Sequence, residues 1–326
     1  MRKALITGIT GQDGSYLSKL LLSKGYKVYG ITRSAASINL KNLKFLRIDR
    51  EVEILSANLL DLSNIIRILD KHNPDEIYNL ASQSSVGLSF DQPIGTLEFN
   101  IMSTVNLLEA VRLLHLGSRF YQASSSEMFG KVSELPITEE TPMHPISPYA
   151  VSKASAHWIA VNYREAYGVF SCCGILFNHE SVLRGSNFVT KKIINTAVRI
   201  AKGSTDKLKL GNVAIKRDWG YAPDYVRAMW LMLQQENPED YVVATGESHT
   251  LTEFIEYTFA YLGLNWENHV VIDKDLYRPS DIDEIYGNPQ KAKTILGWEY
   301  HLRFEDLIKL LIEEELTTVQ EALLAE

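Results

Sequence analysis

Tyr149 and Lys153 stand four residues apart in Ser147-Pro148-Tyr149-Ala150-Val151-Ser152-Lys153. On a helix that spacing puts both side chains on one face. A cation beside a phenol favours phenolate and lowers its pKa. Such a tyrosine takes a proton from an alcohol while hydride leaves the same carbon. An exposed, inert pair is the bland reading of the same four-residue spacing. Upstream, Ala123-Ser124-Ser125-Ser126-Glu127-Met128-Phe129-Gly130 supplies two further groups. Ser125 can hydrogen-bond the oxygen that Tyr149 deprotonates. Oxidising an alcohol needs no carboxylate, but removing a proton α to the new carbonyl needs a base. Expelling a neighbouring hydroxyl as water needs an acid. Glu127 can serve as both, since the proton it takes from carbon arms it to protonate the leaving oxygen. Otherwise Glu127 is a surface residue or a salt-bridge partner. The expected catalytic set is Ser125, Glu127, Tyr149 and Lys153.

Hydride chemistry needs an acceptor. Gly8-Ile9-Thr10-Gly11-Gln12-Asp13-Gly14 has glycines at every third position, after an apolar run and before an amphipathic one. Glycines let the backbone approach a pyrophosphate, and a helix N-terminus supplies amides and a positive dipole end. Gly8, Thr10, Gly11, Gln12, Asp13 and Gly14 are therefore expected at a dinucleotide. The second strand ends in Thr32-Arg33-Ser34, where NAD-preferring folds commonly place an acid. A cation and hydroxyls there suit a 2′-phosphate, so Arg33 and Ser34 point to NADP. A solvent-facing Arg33 is the alternative. Position alone puts Asn58 and Leu59 near the adenine. Leu80, Ala81, Ser82, Gln83 and Ser84 likewise fall along the middle of the cofactor. Tyr149 and Lys153 are also expected at it, where the lysine can hold the nicotinamide ribose.

The elements that position these groups alternate. Strands are expected at Ala4–Thr7, Lys27–Ile31, Glu53–Ala57, Glu76–Leu80, Arg119–Ala123 and Cys172–Leu176. Helices are expected at Ser15–Lys24, Leu62–Lys71, Thr96–Leu116 and Tyr149–Tyr167. Such βαβ units, with right-handed crossovers, give an α/β fold with a doubly wound parallel (Rossmann) sheet. Strict alternation ends near residue 178. Ser181–Thr190 and Leu210–Gly220 read as ordered loops, and Phe188–Lys202, Leu251–Leu262 and Phe304–Glu315 as helices. The expected division is an NADP-binding domain over 1–178, with a return segment near 217–245. A smaller C-terminal substrate-binding α/β domain takes up most of 179–326.

Composition sets outer limits. The chain has 326 residues and a formal net charge of -7, which argues against a nucleic-acid partner. No apolar stretch approaches the ~20 residues of a membrane span. With no leader-like segment before the first strand pattern, a cytoplasmic location is expected. The two cysteines, Cys172 and Cys173, are adjacent, which offers neither a disulfide nor a metal spacing. No metal is expected.

The sequence resembles the extended short-chain dehydrogenase/reductase superfamily over essentially its whole length. Within it, it looks like the GDP-mannose 4,6-dehydratase family. The segments that carry the likeness are Gly8–Gly14, Phe120–Gly130, Ser147–Lys153, Val161–Glu165, Gly174–Ser181 and Arg217–Gly220. The resemblance implies a homodimer or homotetramer, a GDP-sugar substrate and an internal redox cycle through NADP. Tyr149 would deprotonate the C4 hydroxyl while hydride leaves C4. Glu127 would then remove the C5 proton and help water leave C6, where the hydride returns. It also implies that His179 and Arg184 meet the nicotinamide end, that Asn178 binds sugar or phosphate, and that Lys192, Arg217 and Arg278 hold the GDP diphosphate and ribose. The family usually has Thr at Ser125 and Asp at Asn58, and a longer Arg-rich loop where Arg33–Ser37 stands. Rival readings are a dehydratase of another GDP-sugar, such as a GDP-manno-heptose, and a 4-keto sugar reductase or an epimerase. A non-catalytic NADP sensor is the reading from outside enzymology.

Overall fold

Strand alternation up to residue 176 builds one sheet. A computed structural model describes residues 1–33 and 38–324, so Ser34 lies outside the described residues. The strands are β1 (Lys3–Thr7), β2 (Lys27–Thr32), β3 (Glu53–Ser56), β4 (Glu76–Asn79), β5 (Arg119–Ser125) and β6 (Ser171–Leu176). Between them lie α1 (Gln12–Ser23), α2 (Lys41–Phe45), α3 (Leu62–His72), α4 (Val86–Asp91), α5 (Pro93–Leu113) and α6 (Pro148–Tyr167). Every residue of β6 is buried, as in a strand covered on both faces.

The rest of the chain contributes shorter strands: β7 (Asn178–Glu180), β8 (Leu208–Leu210), β9 (Lys216–Arg217), β10 (Trp219–Tyr221), β11 (Tyr241–Val243), β12 (His249–Thr250), β13 (Val270–Ile272) and β14 (Glu284–Ile285). Its helices are α7 (Val189–Ala201), α8 (Ala222–Met232), α9 (Leu251–Tyr261) and α10 (Phe304–Leu324). The main sheet runs β11-β6-β5-β4-β1-β2-β3, and all its pairings are parallel. Strand order reverses between β1 and β4, which opens a crevice beyond their carboxyl ends.

Local chemistry explains the boundaries. Asp61 caps α3 by accepting from the amides of Ser63 and Asn64. Ser147 caps α6 through the Ala150 amide, Pro148 fills the first turn, and Gly168 ends the helix at φ 68°. Two glycines of the first loop are obligatory. Gly8 has φ +71°, and a Cβ there would meet the Ala81 amide nitrogen at 2.9 Å. A Cβ on Gly14 would lie 2.4 Å from the Gly8 carbonyl oxygen. Under the crevice, Thr7 Oγ1 donates to Asn79 and accepts from the amides of Leu80 and Ala81. Asn79 donates on to Thr104 and Gln122. This buried polar net fixes the β1–β4–β5 floor.

Three expectations change. The long helix expected to start at Thr96 begins at Pro93, a favoured first-turn residue, and α4 precedes it. The expected loop Leu210–Gly220 contains β9 and β10. β9 lies between β12 and β14, and β10 pairs with β7. The last helix runs past Glu315 to Leu324. Of the elements with no counterpart in the sequence reading, two matter most to the framework. They are α8, packed on α1, and β11, the seventh strand of the main sheet. A second apolar core joins Ile193, Ile194 and Ala197 of α7 to Phe254 of α9, Leu307 and Leu311 of α10, and Trp219. Among the described residues no helix is long and apolar enough to cross a membrane.

Candidate active site

Strand β5 delivers Ser125 to the crevice, and the chain turns at once into a short 3-10 segment, Ser126–Phe129. Ser125 Oγ accepts from the Glu127 amide at 3.3 Å. Gly130 closes the turn, and a Cβ there would sit 1.9 Å from the His144 carbonyl oxygen. Helix α6 enters beside this turn with Tyr149 and Lys153 buried. One cavity is lined by Ser125, Glu127, Tyr149 and Lys153 together, so the structure brings the expected catalytic set to one place.

The electrostatics differ from the sequence expectation at one point. Tyr149 lies above the ordinary phenol value, at about 12, not below it. Burial is the main cause, and the hydrogen bond with Ser125 only partly offsets it. The expected help from Lys153 is missing because its ammonium points elsewhere. Lys153 Nζ donates to the Ala123 carbonyl at 2.9 Å and stands 5.8 Å from the Tyr149 ring centroid. Burial lowers Lys153 itself to about 8. Burial also raises the half-buried Glu127 carboxyl above the usual range, while Arg217 and Arg278 pull it back.

Next to this cavity, and sharing Asp13, Leu80, Ser82, Ser84, Arg184 and Phe188 with it, runs a second chamber. Gly8, Gly11, Gln12, Gly14, Arg33, Ala81 and Gln83 line it. Its walls fit a dinucleotide. The loop excludes any Cβ at Gly8 and Gly14, leaving bare backbone at the start of α1. Arg33 is exposed with its guanidinium 5.3 Å from the Phe99 ring centroid. Three of the expected cofactor residues line neither chamber. The Thr10 carbonyl accepts from Asn42, exposed Asn58 accepts from the Leu60 amide, and buried Leu59 has its carbonyl bonded by Asn106.

His179 lines the catalytic cavity and reaches Asp13, which lines both chambers. Its Nδ1 lies 2.7 Å from the Phe177 carbonyl and its Nε2 3.0 Å from Asp13 Oδ2. Both ring nitrogens face acceptors, which is the pattern of an imidazolium. Burial opposes its charge, but Asp13 raises His179 above its ordinary value. Burial likewise opposes Asp13, yet His179 holds that carboxyl at about 2. Gln12 adds two stitches, donating to the His179 carbonyl and accepting from Ser181 Oγ. Arg184 lies 3.2 Å from Glu180 and 3.7 Å from the Phe188 ring centroid.

Asn178, Lys192, Arg217 and Arg278 all line the catalytic cavity. Arg217 is buried, donating to Asp281 at 2.9 Å and to the Ile282 carbonyl at 2.7 Å. Arg278 lies 3.6 Å from the same carboxylate. Lys192 is exposed and donates to the Lys209 carbonyl. Sequence reasoning missed Asp281, which organises both arginines. Its signal was its place three residues after Arg278. Asn100 was missed as well. From α5 it bonds the Gln83 backbone and Ser152 Oγ, tying the loop after β4 to α6.

The chain matches the family model described as GDP-mannose 4,6 dehydratase over residues 5–311. It is 51% identical over 323 residues to GDP-mannose 4,6 dehydratase 1 of Arabidopsis thaliana, covering 96% of this chain and 89% of that protein. The human GDP-mannose 4,6 dehydratase is 44% identical over 337 residues, covering 96% and 91%. Among solved structures, the UDP-glucose 4-epimerase of Thermus thermophilus in complex with NAD superposes with a TM-score of 0.84 at 26% identity, covering 95% and 98%. With this family's model spanning nearly the whole chain and its fold and cavity in place, the chain belongs to the GDP-mannose 4,6-dehydratase family.

Proposed function

We propose that this chain is a nucleotide-sugar 4,6-dehydratase that removes water from GDP-mannose and yields GDP-4-keto-6-deoxymannose, with hydride passed internally from C4 to C6. The observation that carries this reading is the Glu127 carboxyl in the same cavity as Ser125, Tyr149 and Lys153. A 4-keto sugar reductase has no use for that carboxylate. The names of the Arabidopsis and human relatives support GDP-mannose as the substrate. Residues 1–178, with the return through 217–245, form the cofactor half, and the remainder up to 326 is mainly the substrate half.

Bound NADP would accept the C4 hydride and give it back at C6. The chain's own residues handle the protons. Ser125 holds the C4 oxygen, and Tyr149 takes its proton. The C4 ketone acidifies C5. Glu127 removes the C5 proton and delivers it to the C6 hydroxyl, which leaves as water. That leaves Glu127 a carboxylate, reprotonated by way of solvent at the expense of the proton Tyr149 took from the C4 hydroxyl. Glu127 returns that proton to C5 as hydride reaches C6, so one water is lost overall and every group is restored. Asn178, Lys192, Arg217 and Arg278 bind sugar and diphosphate, and arginine's planar fork suits the phosphates. Mass spectrometry of GDP-mannose incubated with the NADP-loaded protein tests the reading. Loss of one water without external reductant is expected, and an unchanged mass, or consumption of added NADPH, would refute it.

NADP rather than NAD rests on Arg33, in the second chamber where an acid would suit NAD. Arg33→Ala is expected to weaken NADP binding about tenfold or more, the worth of one charge-assisted hydrogen bond. NAD binding should change little. Calorimetry with both dinucleotides decides, and equal weakening would remove the 2′-phosphate assignment.

A further inference from the structure

Helix α6 carries Tyr149, Lys153 and His157 at four-residue intervals, stacked along one face. Each faces a different one of three consecutive β5 residues. Tyr149 shares the catalytic cavity wall with Ser125, Lys153 donates to the Ala123 carbonyl, and His157 Nδ1 lies 3.0 Å from Ser124 Oγ. Three turns of helix are thus set against three successive strand positions. The first two rungs belong to the catalytic set, and the third sits in the core behind it.

His157 is only 4% exposed. Its Nε2 lies 3.9 Å from Asp240 Oδ2. Arg164 holds Asp240 through two bonds of 2.8 and 2.9 Å, and the Cys173 amide donates to it at 3.0 Å. His157, Cys173 and Asp240 converge closely enough to hold a metal ion. The Asp240 carboxylate, however, is already satisfied by a guanidinium and an amide, so the cluster reads as a hydrogen-bonded brace. It runs from β5 through α6 to the residue preceding β11. Burial keeps His157 below its ordinary imidazole value, hence neutral. Nε2 faces the Asp240 carboxylate across 3.9 Å, too far for a direct hydrogen bond, and we assign the single ring proton to that side. Nδ1 then accepts from the Ser124 hydroxyl.

We propose that His157 is a positioning residue for proton transfer. Its bond to Ser124 sets the height of α6 on β5, and with it the reach of the Tyr149 phenol toward the C4 oxygen that Ser125 holds. The proposal rests on the reading of Tyr149 as the base. It differs from a packing role, because a somewhat larger ring without nitrogen would fill the space but leave the Ser124 hydroxyl unpaired.

The test uses the NADP-loaded enzyme with GDP-mannose. His157→Phe is expected to lower kcat about 10- to 100-fold, the effect of misplacing a reacting group by roughly an ångström. KM for GDP-mannose should stay within about twofold, since the substrate contacts lie elsewhere. His157→Asn, whose amide oxygen replaces Nδ1 as acceptor, should recover most of kcat. Ser124→Ala should reproduce the loss on its own and add nothing to His157→Phe. A lower melting temperature with unchanged kcat would overturn the proposal, as would equal losses in the Phe and Asn variants. If His157→Phe does not fold, Ser124→Ala alone decides, and full kcat in that variant refutes the brace. Failure of the underlying function would show in the unaltered enzyme, as no reduced-nicotinamide transient with GDP-mannose. Failure of the brace shows only in the variants.

Discussion

Glu127→Gln is expected to bind NADP and GDP-mannose normally and to dehydrate the sugar about a thousandfold more slowly, within the range for removing a general acid–base group. The amide keeps the shape of the side chain but can neither take the C5 proton nor deliver one to the C6 hydroxyl. The first step needs neither, so the variant still oxidises C4. Stopped-flow absorbance should show reduced nicotinamide accumulating and persisting. Near-normal turnover would mean that another group is the base. The pH profile of the unaltered enzyme carries the same signature. Burial raises the Glu127 carboxyl above the ordinary 4.5, against the opposing pull of Arg217 and Arg278. Its working form at the start of the cycle is the carboxylate. Activity is therefore present above the raised pKa and lost as pH falls through it. The acid limb should lie above pH 4.5, closer to neutrality than for an exposed glutamate.

Tyr149→Phe stops the cycle one step earlier. A loss of about 10²–10⁴ in kcat is expected, with no reduced-nicotinamide absorbance at any time. A transient of normal amplitude in this variant would show that another group deprotonates C4. The height of Tyr149, about 12 in the free protein, adds a second measurement. Burial holds it there, and Lys153 is committed to the Ala123 carbonyl. The missing positive charge must come with the oxidised nicotinamide. An ultraviolet difference titration should therefore show one tyrosine ionising at lower pH with NADP bound than without it. Tyr149→Phe should erase that difference.

Much of this site was legible in sequence because its chemistry sits at secondary-structure boundaries with strong local signals. The glycines at 8, 11 and 14, the Ser147-Pro148 start of α6 and the polar end of β5 each announce a turn at which a strand meets a helix. Those signals also fix the crevice, since parallel strands deliver their carboxyl ends to one edge. The C-terminal part was less legible for a physical reason. Strands β9, β10, β12 and β14 are two or three residues long, too short to show an alternating pattern. Their pairing depends on partners far away in sequence. Asp281 and Asn100 escaped notice because their importance is relational. Each touches two functional segments, and apart from the spacing of Asp281 from Arg278 neither has a local signature. Conversely, Asn58 and Leu59 were placed by position alone, and their side chains turned out to serve local backbone capping and the core.

The stitches that Gln12 and Asp13 make to His179 and Ser181 have a consequence for the lifetime of the complex. They bridge the glycine loop to the strand after β6, along the boundary where the two chambers meet. A dinucleotide lying through both chambers would be buckled in, its departure requiring an ion pair and two hydrogen bonds to part. A catalyst that ends each turnover with its hydride acceptor restored gains nothing by letting that acceptor go. Protein passed through a desalting column should keep its nicotinamide, and Asp13→Asn with Gln12→Ala should shed it.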